Sequence, residues 1–256
     1  MQITAVVLAY NEAEALRVTL PAIREAVSEV VIVDMGSTDG SSELYQPSDL
    51  VVPYDRRSLM NFGFSHPRNY GAQHASGDWI FAIDADELIE PDEFRRATAG
   101  LAPMVTSLER RTYTEAPGFD INEPAALIAE APHTTERQRR LYPNLPAYRW
   151  EGLIHEEVRV AAEPAQAVQD VESTLHHLVF YKKTLNLNEK QEMYAHLLLK
   201  GLVYPGFRHG TNPWFFADYI PPLLRTLTWQ ANNFAARNNL MTFDYDELNA
   251  RYGAAA

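Results

Sequence analysis

Gly77-Asp78-Trp79-Ile80-Phe81-Ala82-Ile83-Asp84-Ala85-Asp86-Glu87 is an apolar run that stops abruptly at three carboxylates. Trp79 to Ile83 has the length and composition of a buried strand. A strand ending in Asp-x-Asp holds two carboxylates at a sheet edge, one residue apart. Such a pair suits a divalent cation bridging a diphosphate, because hard cations take a few carboxylates together with substrate phosphates. The competing reading is an acidic, solvated turn leading into a helix.

Working upstream, Ile3 to Leu8 and Val30-Val31-Ile32-Val33 are further apolar runs of strand length, and Leu50-Val51-Val52 is a third. Between them, Asn11 is placed to cap a helix in which Leu16, Leu20, Ile23 and Val27 recur at helical spacing. Gly36-Ser37-Thr38-Asp39-Gly40 is a turn-rich loop leading into a short helix through Leu44. Pro67 to Ala75 reads as a helix before the Trp79 strand. The alternation predicts an α/β sheet with helices on both faces, whose ligands gather beyond the carboxyl ends of the strands. Tyr10-Asn11-Glu12, Asp34 and Asp84 to Glu87 all fall at such ends.

Downstream the pattern changes. A helix is expected near Asp92 to Ala99 and a strand over Met104 to Tyr113, then an irregular stretch to about Pro132. Arg137–Tyr142, Tyr148–Trp150 and Glu157–Val160 read as short strands or loops of a mixed sheet. Lys182 to Leu202 and the tail through Leu223, Leu227, Phe234 and Leu240 read as helical. The expected organisation is an α/β domain over residues 1–200 and a helical extension over 201–256.

The chain carries 22 Lys and Arg against 34 Asp and Glu, a net charge of −12, which argues against nucleic acid as a partner. It has no cysteine, so disulfides and thiolate metal sites are excluded. Met1 to Leu8 lacks the basic region and cleavage site of a signal peptide. No apolar stretch approaches the roughly 20 residues that span a bilayer. A cytoplasmic protein is expected, with peripheral membrane contact left open.

Several pieces resemble the family 2 glycosyltransferases, which have the GT-A fold. They are Val7-Leu8-Ala9-Tyr10-Asn11-Glu12, Val31-Ile32-Val33-Asp34-Met35-Gly36-Ser37-Thr38-Asp39-Gly40, Arg68-Asn69-Tyr70-Gly71-Ala72, and Ala75 to Trp79 leading into Asp84-Ala85-Asp86-Glu87. Their order and spacing across nearly ninety residues make the match specific. Arg140-Leu141-Tyr142, Tyr148-Arg149-Trp150-Glu151-Gly152, Ile154-His155-Glu156 and Leu175-His176-His177 resemble one branch of it. That branch holds small bacterial enzymes similar to lipopolysaccharide-core β-glucosyltransferases and SunS-type transferases. Met35 stands where the family usually has Asp or Thr, and a separate Glu-Asp motif is not evident.

The resemblance implies a GT-A (Rossmann-like), mixed, mostly parallel sheet and a metal-dependent inverting transfer from a nucleotide-sugar donor, UDP-linked, to an acceptor hydroxyl. It implies that Ala9 and Tyr10 border the nucleotide base and that Asp34 accepts a hydrogen bond from it. Asn11 and Glu12 adjoin that site, and Glu12 is placed either to bind ribose or to open the first helical turn. Arg68 is suited to the base, a phosphate or an ion pair with the acidic cluster. Asp84, with Ala85 beside it, would meet the ribose and Asp86 the metal, Mn2+ or Mg2+. Glu87 reads as a helix-start residue. His176 matches the family's C-terminal metal ligand, with His177 the competing candidate.

Glu156 is the candidate base, since an inverting transfer needs a carboxylate to take the acceptor's proton. His155 could orient it, bind acceptor or metal, or move the proton itself. Arg137, Arg139 and Arg140, with Arg149 nearby, could hold the donor diphosphate or an anionic acceptor, or form a solvated charge run. The acceptor (a glycan, a lipid-linked group or a protein) is not identified. Two rivals stand beside this reading. A nucleotidyltransferase would want a Gly-rich basic loop after the first strand, where Ala9-Tyr10-Asn11-Glu12 stands. A degenerate GT-A fold would serve as a nucleotide- or glycan-binding or scaffold module.

Overall fold

Ile3–Ala9 forms strand β1, and each of its seven residues is buried. A strand covered on both faces keeps no polar alternation, which is why this segment is apolar throughout. In the computed structural model, which describes residues 1–113, 131–161, 167–179, 187–204 and 220–253, β1 lies between two parallel neighbours. These are β2 (Glu29–Asp34) and β4 (Trp79–Asp84). β3 (Leu50–Pro53) pairs in parallel outside β2 as an edge strand, and Leu50 and Val51 are exposed accordingly.

Beyond β4 the direction reverses. β7 (Thr134–Pro143) runs antiparallel to both β4 and β6 (Val105–Tyr113), and β10 (Val168–Leu178) runs parallel to β6. β5, the pair Glu87–Leu88, closes the sheet antiparallel to β10. The order is β3-β2-β1-β4-β7-β6-β10-β5, a mixed sheet. β8 (Tyr148–Glu151) and β9 (Glu157–Val160) form a separate two-stranded sheet.

Alternate residues of β1 and β4 sort onto two faces. Ile3, Ala5, Val7 and Ala9, with Trp79, Phe81 and Ile83, share one core with Leu16, Leu20 and Ile23 of α1 (Ala13–Ala26). Phe94 of α4 (Pro91–Thr98) joins it. Val6 and Val33 face the other way, toward α3 (Ser65–Ala72). There Gly71 sits so close that a Cβ would stand 2.4 Å from Val6 Cγ1 and 2.8 Å from Val33 Cγ2.

The chain forms two compact units, Met1–Arg56, Pro67–Trp150 and Val158–Thr184 against Arg57–His66, Glu151–Glu157 and Leu185–Ala256. The expected boundary at residue 200 lies inside α5 (Leu187–Val203). The second unit holds most of α2 (Arg56–Phe62), then α5, α6 (Ile220–Asn238) and α7 (Tyr245–Tyr252). Within it Lys200 Nζ donates to the Asn61 carbonyl at 2.7 Å, and the Tyr252 hydroxyl to the Leu202 carbonyl at 2.9 Å. Asn232 donates to and accepts from the backbone of Phe243, both at 2.8 Å.

Local expectations moved in three places. The helix read over Pro67 to Ala75 is α3, which starts two residues earlier and ends at Ala72, and a further helix without a sequence reading, α2, precedes it across Gly63, whose φ is +71°. Asn11 does not cap α1; it sits at φ 54°, and Glu12 takes the cap position without a side-chain bond. Glu87 is strand rather than helix start, since the helix begins four residues later at Pro91. The stretches at 114–130, 182–186 and 205–213 lie outside the described residues. Among the described residues no helix is long and apolar enough to cross a membrane.

Candidate active site

The loops that follow β1 and β2 are stitched together. Ser37 Oγ, Ser41 Oγ and Asp39 Oδ2 accept from the backbone N–H groups of Asn11, Glu12 and Ala13 at 3.1, 3.0 and 2.9 Å. Asn11 Oδ1 returns a bond by accepting from Thr38 N–H at 2.7 Å. The left-handed turn at Asn11, tolerated best by Asn among side-chain-bearing residues, is what lets both ends of that residue reach the loop. Burial favours the neutral acid at Asp39, yet bonds from Ser41 and Ala13 prevail and hold its carboxyl below the usual range.

Asp34 organises the second loop. Its Oδ1 accepts from Gly36 and Ser37 N–H, both at 2.8 Å, and its Oδ2 from the Tyr45 hydroxyl at 2.7 Å. Burial and the adjoining Asp34 charge push the Tyr45 hydroxyl pKa upward, so it stays a donor. Register places Asp34 opposite Ala9. Tyr10, next along, carries the Arg56 guanidinium 4.0 Å above its ring, and Arg56 Nη1 donates to its hydroxyl at 2.9 Å. Tyr10, Asn11, Glu12 and Asp34 are therefore together, at the carboxyl ends of β1 and β2.

At the end of β4, Asp84 pairs opposite Leu8 and joins a charged network. Arg68 Nη2 donates to Asp84 Oδ1 at 2.7 Å, and Arg140 Nη2 to Asp84 Oδ2 at 2.9 Å. Arg68 stands over the Trp150 ring at 4.8 Å, and Trp150 is fixed by two bonds between its backbone and the Asn69 amide, each 2.9 Å. Arg140 Nη2 also donates to Glu87 Oε1 at 2.9 Å, and Arg110 Nη1 lies 3.5 Å from the same oxygen. Ala85 turns its side chain into the core, while its carbonyl accepts from Thr19 Oγ1 at 2.8 Å. The basic stretch is divided: Arg140 enters this network, whereas Arg137 binds Ser107 and Asp170.

The two histidines of β10 point to opposite faces, as successive strand residues must. His176 turns away from Asp86. It is buried against Tyr113, whose hydroxyl lies 3.0 Å from Nδ1, and burial, with Arg111 nearby, pushes its pKa down to about 4. His177 is the one that meets Asp86, with Nε2 3.1 Å from Oδ2. Thr112 Oγ1 sits 3.2 Å from His177 Nδ1. Of the two candidates His177, not His176, lies beside Asp86.

Asp86 is 1% exposed and is tied to β10 through its carbonyl, which accepts from Leu178 N–H at 2.8 Å. A carboxylate and an imidazole suit a first-row divalent ion. Their 3.1 Å separation matches adjacent corners of an octahedron with bonds of about 2.1 Å. Thr112 on the far nitrogen stands where an outer partner would orient that histidine if it bound an ion. Among the described residues no three His, Asp or Glu side chains form a metal cluster. The donor set fits an ion completed by substrate oxygens and water.

His155 and Glu156 lie in the second unit, on a corner where Gly152 (φ 107°) and His155 (φ 50°) are both left-handed. A Cβ on Gly152 would stand 3.3 Å from Glu156 Cα. A non-Gly residue held there is strained, a condition that gathers at functional positions.

A family model described as "Glycosyl transferase family 2" matches residues 4–146, more than half of the chain. The chain belongs to glycosyl transferase family 2. Among curated relatives, the glycosyltransferase SunS of Bacillus subtilis (strain 168) is 28% identical over 88 residues, which are 34% of this chain and 20% of SunS. The succinoglycan biosynthesis protein ExoO of Rhizobium meliloti (strain 1021) is 35% identical over 104 residues, 37% of this chain and 28% of ExoO. The matched stretches are thus well under half the length of either relative. Among solved structures, S. aureus TarS 1-349 in complex with UDP-GlcNAc is 16% identical with a TM-score of 0.44, covering 91% of this chain and 80% of that one.

Four residues of this family 2 chain escape a reading by motif. Tyr45, Arg56, Arg110 and Thr112 each reach the site from a segment without a local pattern. Tyr45 and Arg56 carry no signal beyond their type. Arg110 and Thr112 lie in the polar run Glu109-Arg110-Arg111-Thr112 of β6, which reads as an exposed stretch of strand.

Proposed function

We infer that the chain transfers a sugar from a nucleotide-linked donor, UDP-linked, to an acceptor hydroxyl with inversion at the anomeric carbon. The observation that carries this reading is the placement of Asp84 and Asp86 at the end of β4, beside the Tyr10 and Asp34 loops, in a family 2 chain. Tyr10 and Asp34 border the base, and Asp84 faces the ribose. Asp86 and His177 would hold a divalent ion, Mn2+ or Mg2+. When bound, the ion neutralises charge on the leaving diphosphate.

Glu156 accepts the proton of the acceptor hydroxyl, with His155 orienting it. The acceptor oxygen forms its bond to the anomeric carbon as the bond to the diphosphate oxygen breaks, on the opposite face. The proton ends on Glu156 and the electron pair on the nucleoside diphosphate. Trp150 and Asn69 keep Arg68 beside Asp84 throughout.

The test is incubation with UDP-glucose, UDP-galactose and UDP-N-acetylglucosamine, each with manganese, and a panel of glycan, lipid-linked and peptide acceptors. Release of UDP with a β-linked product by proton NMR is the expected result for these α-linked donors. An α-linked product would remove inversion, and failure to bind any nucleotide sugar or nucleoside diphosphate would remove the whole reading.

A further inference from the structure

Glu87 is 0% exposed, and a carboxylate at that depth persists only when its charge is matched. Its partners are the groups that arrange the site. Oε2 accepts from the backbone N–H of Asp84 at 3.0 Å, and Oε1 receives Arg140 Nη2 at 2.9 Å with Arg110 Nη1 3.5 Å away. The backbone of Glu87 pairs in β5 with His177 of β10. One side chain therefore touches the main chain of Asp84 and the guanidinium that Asp84 shares, and its own main chain sets the strand carrying His177.

The shared guanidinium is the informative element. Arg140 Nη2 lies 2.9 Å from both Glu87 Oε1 and Asp84 Oδ2, so its two N–H groups are divided between two carboxylates that share one cation. We propose that Glu87 is a positioning residue for the donor site: by drawing Arg140 into the sheet and fixing the Asp84 amide, it keeps the Asp84 carboxylate available to a ligand hydroxyl. Without the Glu87 charge, Arg140 turns wholly onto Asp84, which Arg68 already holds from the other side. This rests on the nucleotide-sugar reading above.

The experiment is calorimetric titration of UDP with manganese, well below the melting temperature, on Glu87→Gln and Glu87→Gln/Arg140→Gln, with melting recorded alongside. Glu87→Gln is expected to bind UDP about 10- to 100-fold more weakly, the usual cost of losing an outer partner of a binding group. The double variant, which also removes the competing cation, is expected to return to within about threefold of the parent. Should Glu87→Gln not fold, Glu87→Asp keeps the charge but draws it one methylene back from both partners, and a loss in the same direction is expected. A folded Glu87 variant with parental affinity and only a lowered melting temperature would overturn the proposal, as would a double variant no better than the single one. A parent protein that binds no UDP would overturn the nucleotide-sugar reading, and this proposal with it.

Discussion

His176 and His177 are adjacent residues of one type that the strand sends in opposite directions, and substitution separates their roles. His177→Ala removes the imidazole beside Asp86. It should abolish the extra thermal stabilisation that manganese adds to UDP, while UDP alone still stabilises weakly. His176→Phe keeps the ring against Tyr113 and loses one buried hydrogen bond, costing about 1 kcal/mol and leaving the manganese response intact. A differential scan with UDP, with and without manganese, reads both variants. The reverse pattern would return the metal role to His176. A resemblance could place a histidine at this point of the chain, but one register step decides the face, and only the pairing of β10 with β5 and β6 fixes that step.

At the level of elements, α3 carries Arg68 and is held against the sheet by the absence of a side chain at Gly71. Gly71→Ala puts a methyl between Val6 and Val33, both fully packed, and should cost about 1–3 kcal/mol. Because α3 must retreat to admit it, the 2.7 Å bond from Arg68 to Asp84 should lengthen and UDP affinity should fall with stability. Chemical denaturation beside UDP titration checks both; a stability loss with unchanged affinity would uncouple the helix from the site. β1, β2 and β4 were legible because strands buried on both faces must be apolar. β10 was legible only near His176, because Gln169, Asp170 and Glu172 and a register irregularity between Asp170 and Thr174 break its alternation. β5 is two residues long, too short for any period, so Glu87 could not be told from a helix start.

At the level of the whole molecule, acid sensitivity should arise far along the chain from the carboxylates. His196 in α5 is fully buried against Phe234 and Phe243, and neither ring nitrogen has a hydrogen-bond partner among the described residues. Burial, with Lys200 adding to it, lowers its pKa to about 4. The folded state thus holds the ring neutral while the unfolded chain takes up a proton near 6.5. Its contribution is present in full above that value and is lost as pH falls from about 6.5 to 4, by about 3 kcal/mol. His196→Leu should flatten the pH dependence of unfolding across that window; an unchanged slope would refute it. The parallel half of the sheet, β1 to β4, could be anticipated because one family pattern runs through residues 4–146. The division of the chain could not, since the second unit draws Arg57–His66 and Glu151–Glu157 from the middle of the sequence.

The stitching of the β1 and β2 loops bears on how any phosphate can be held. Many nucleotide-binding α/β proteins seat a phosphate on the first turn of the helix after the first strand, where bare amides and the positive end of the dipole converge. In this chain Ser37, Ser41 and Asp39 already occupy the amides of Asn11, Glu12 and Ala13, and Asp39 brings a fixed negative charge to that helix end. The anion seat is built in and already filled by the protein itself. A diphosphate arriving here would be repelled from the helix mouth and turned toward the carboxyl end of β4.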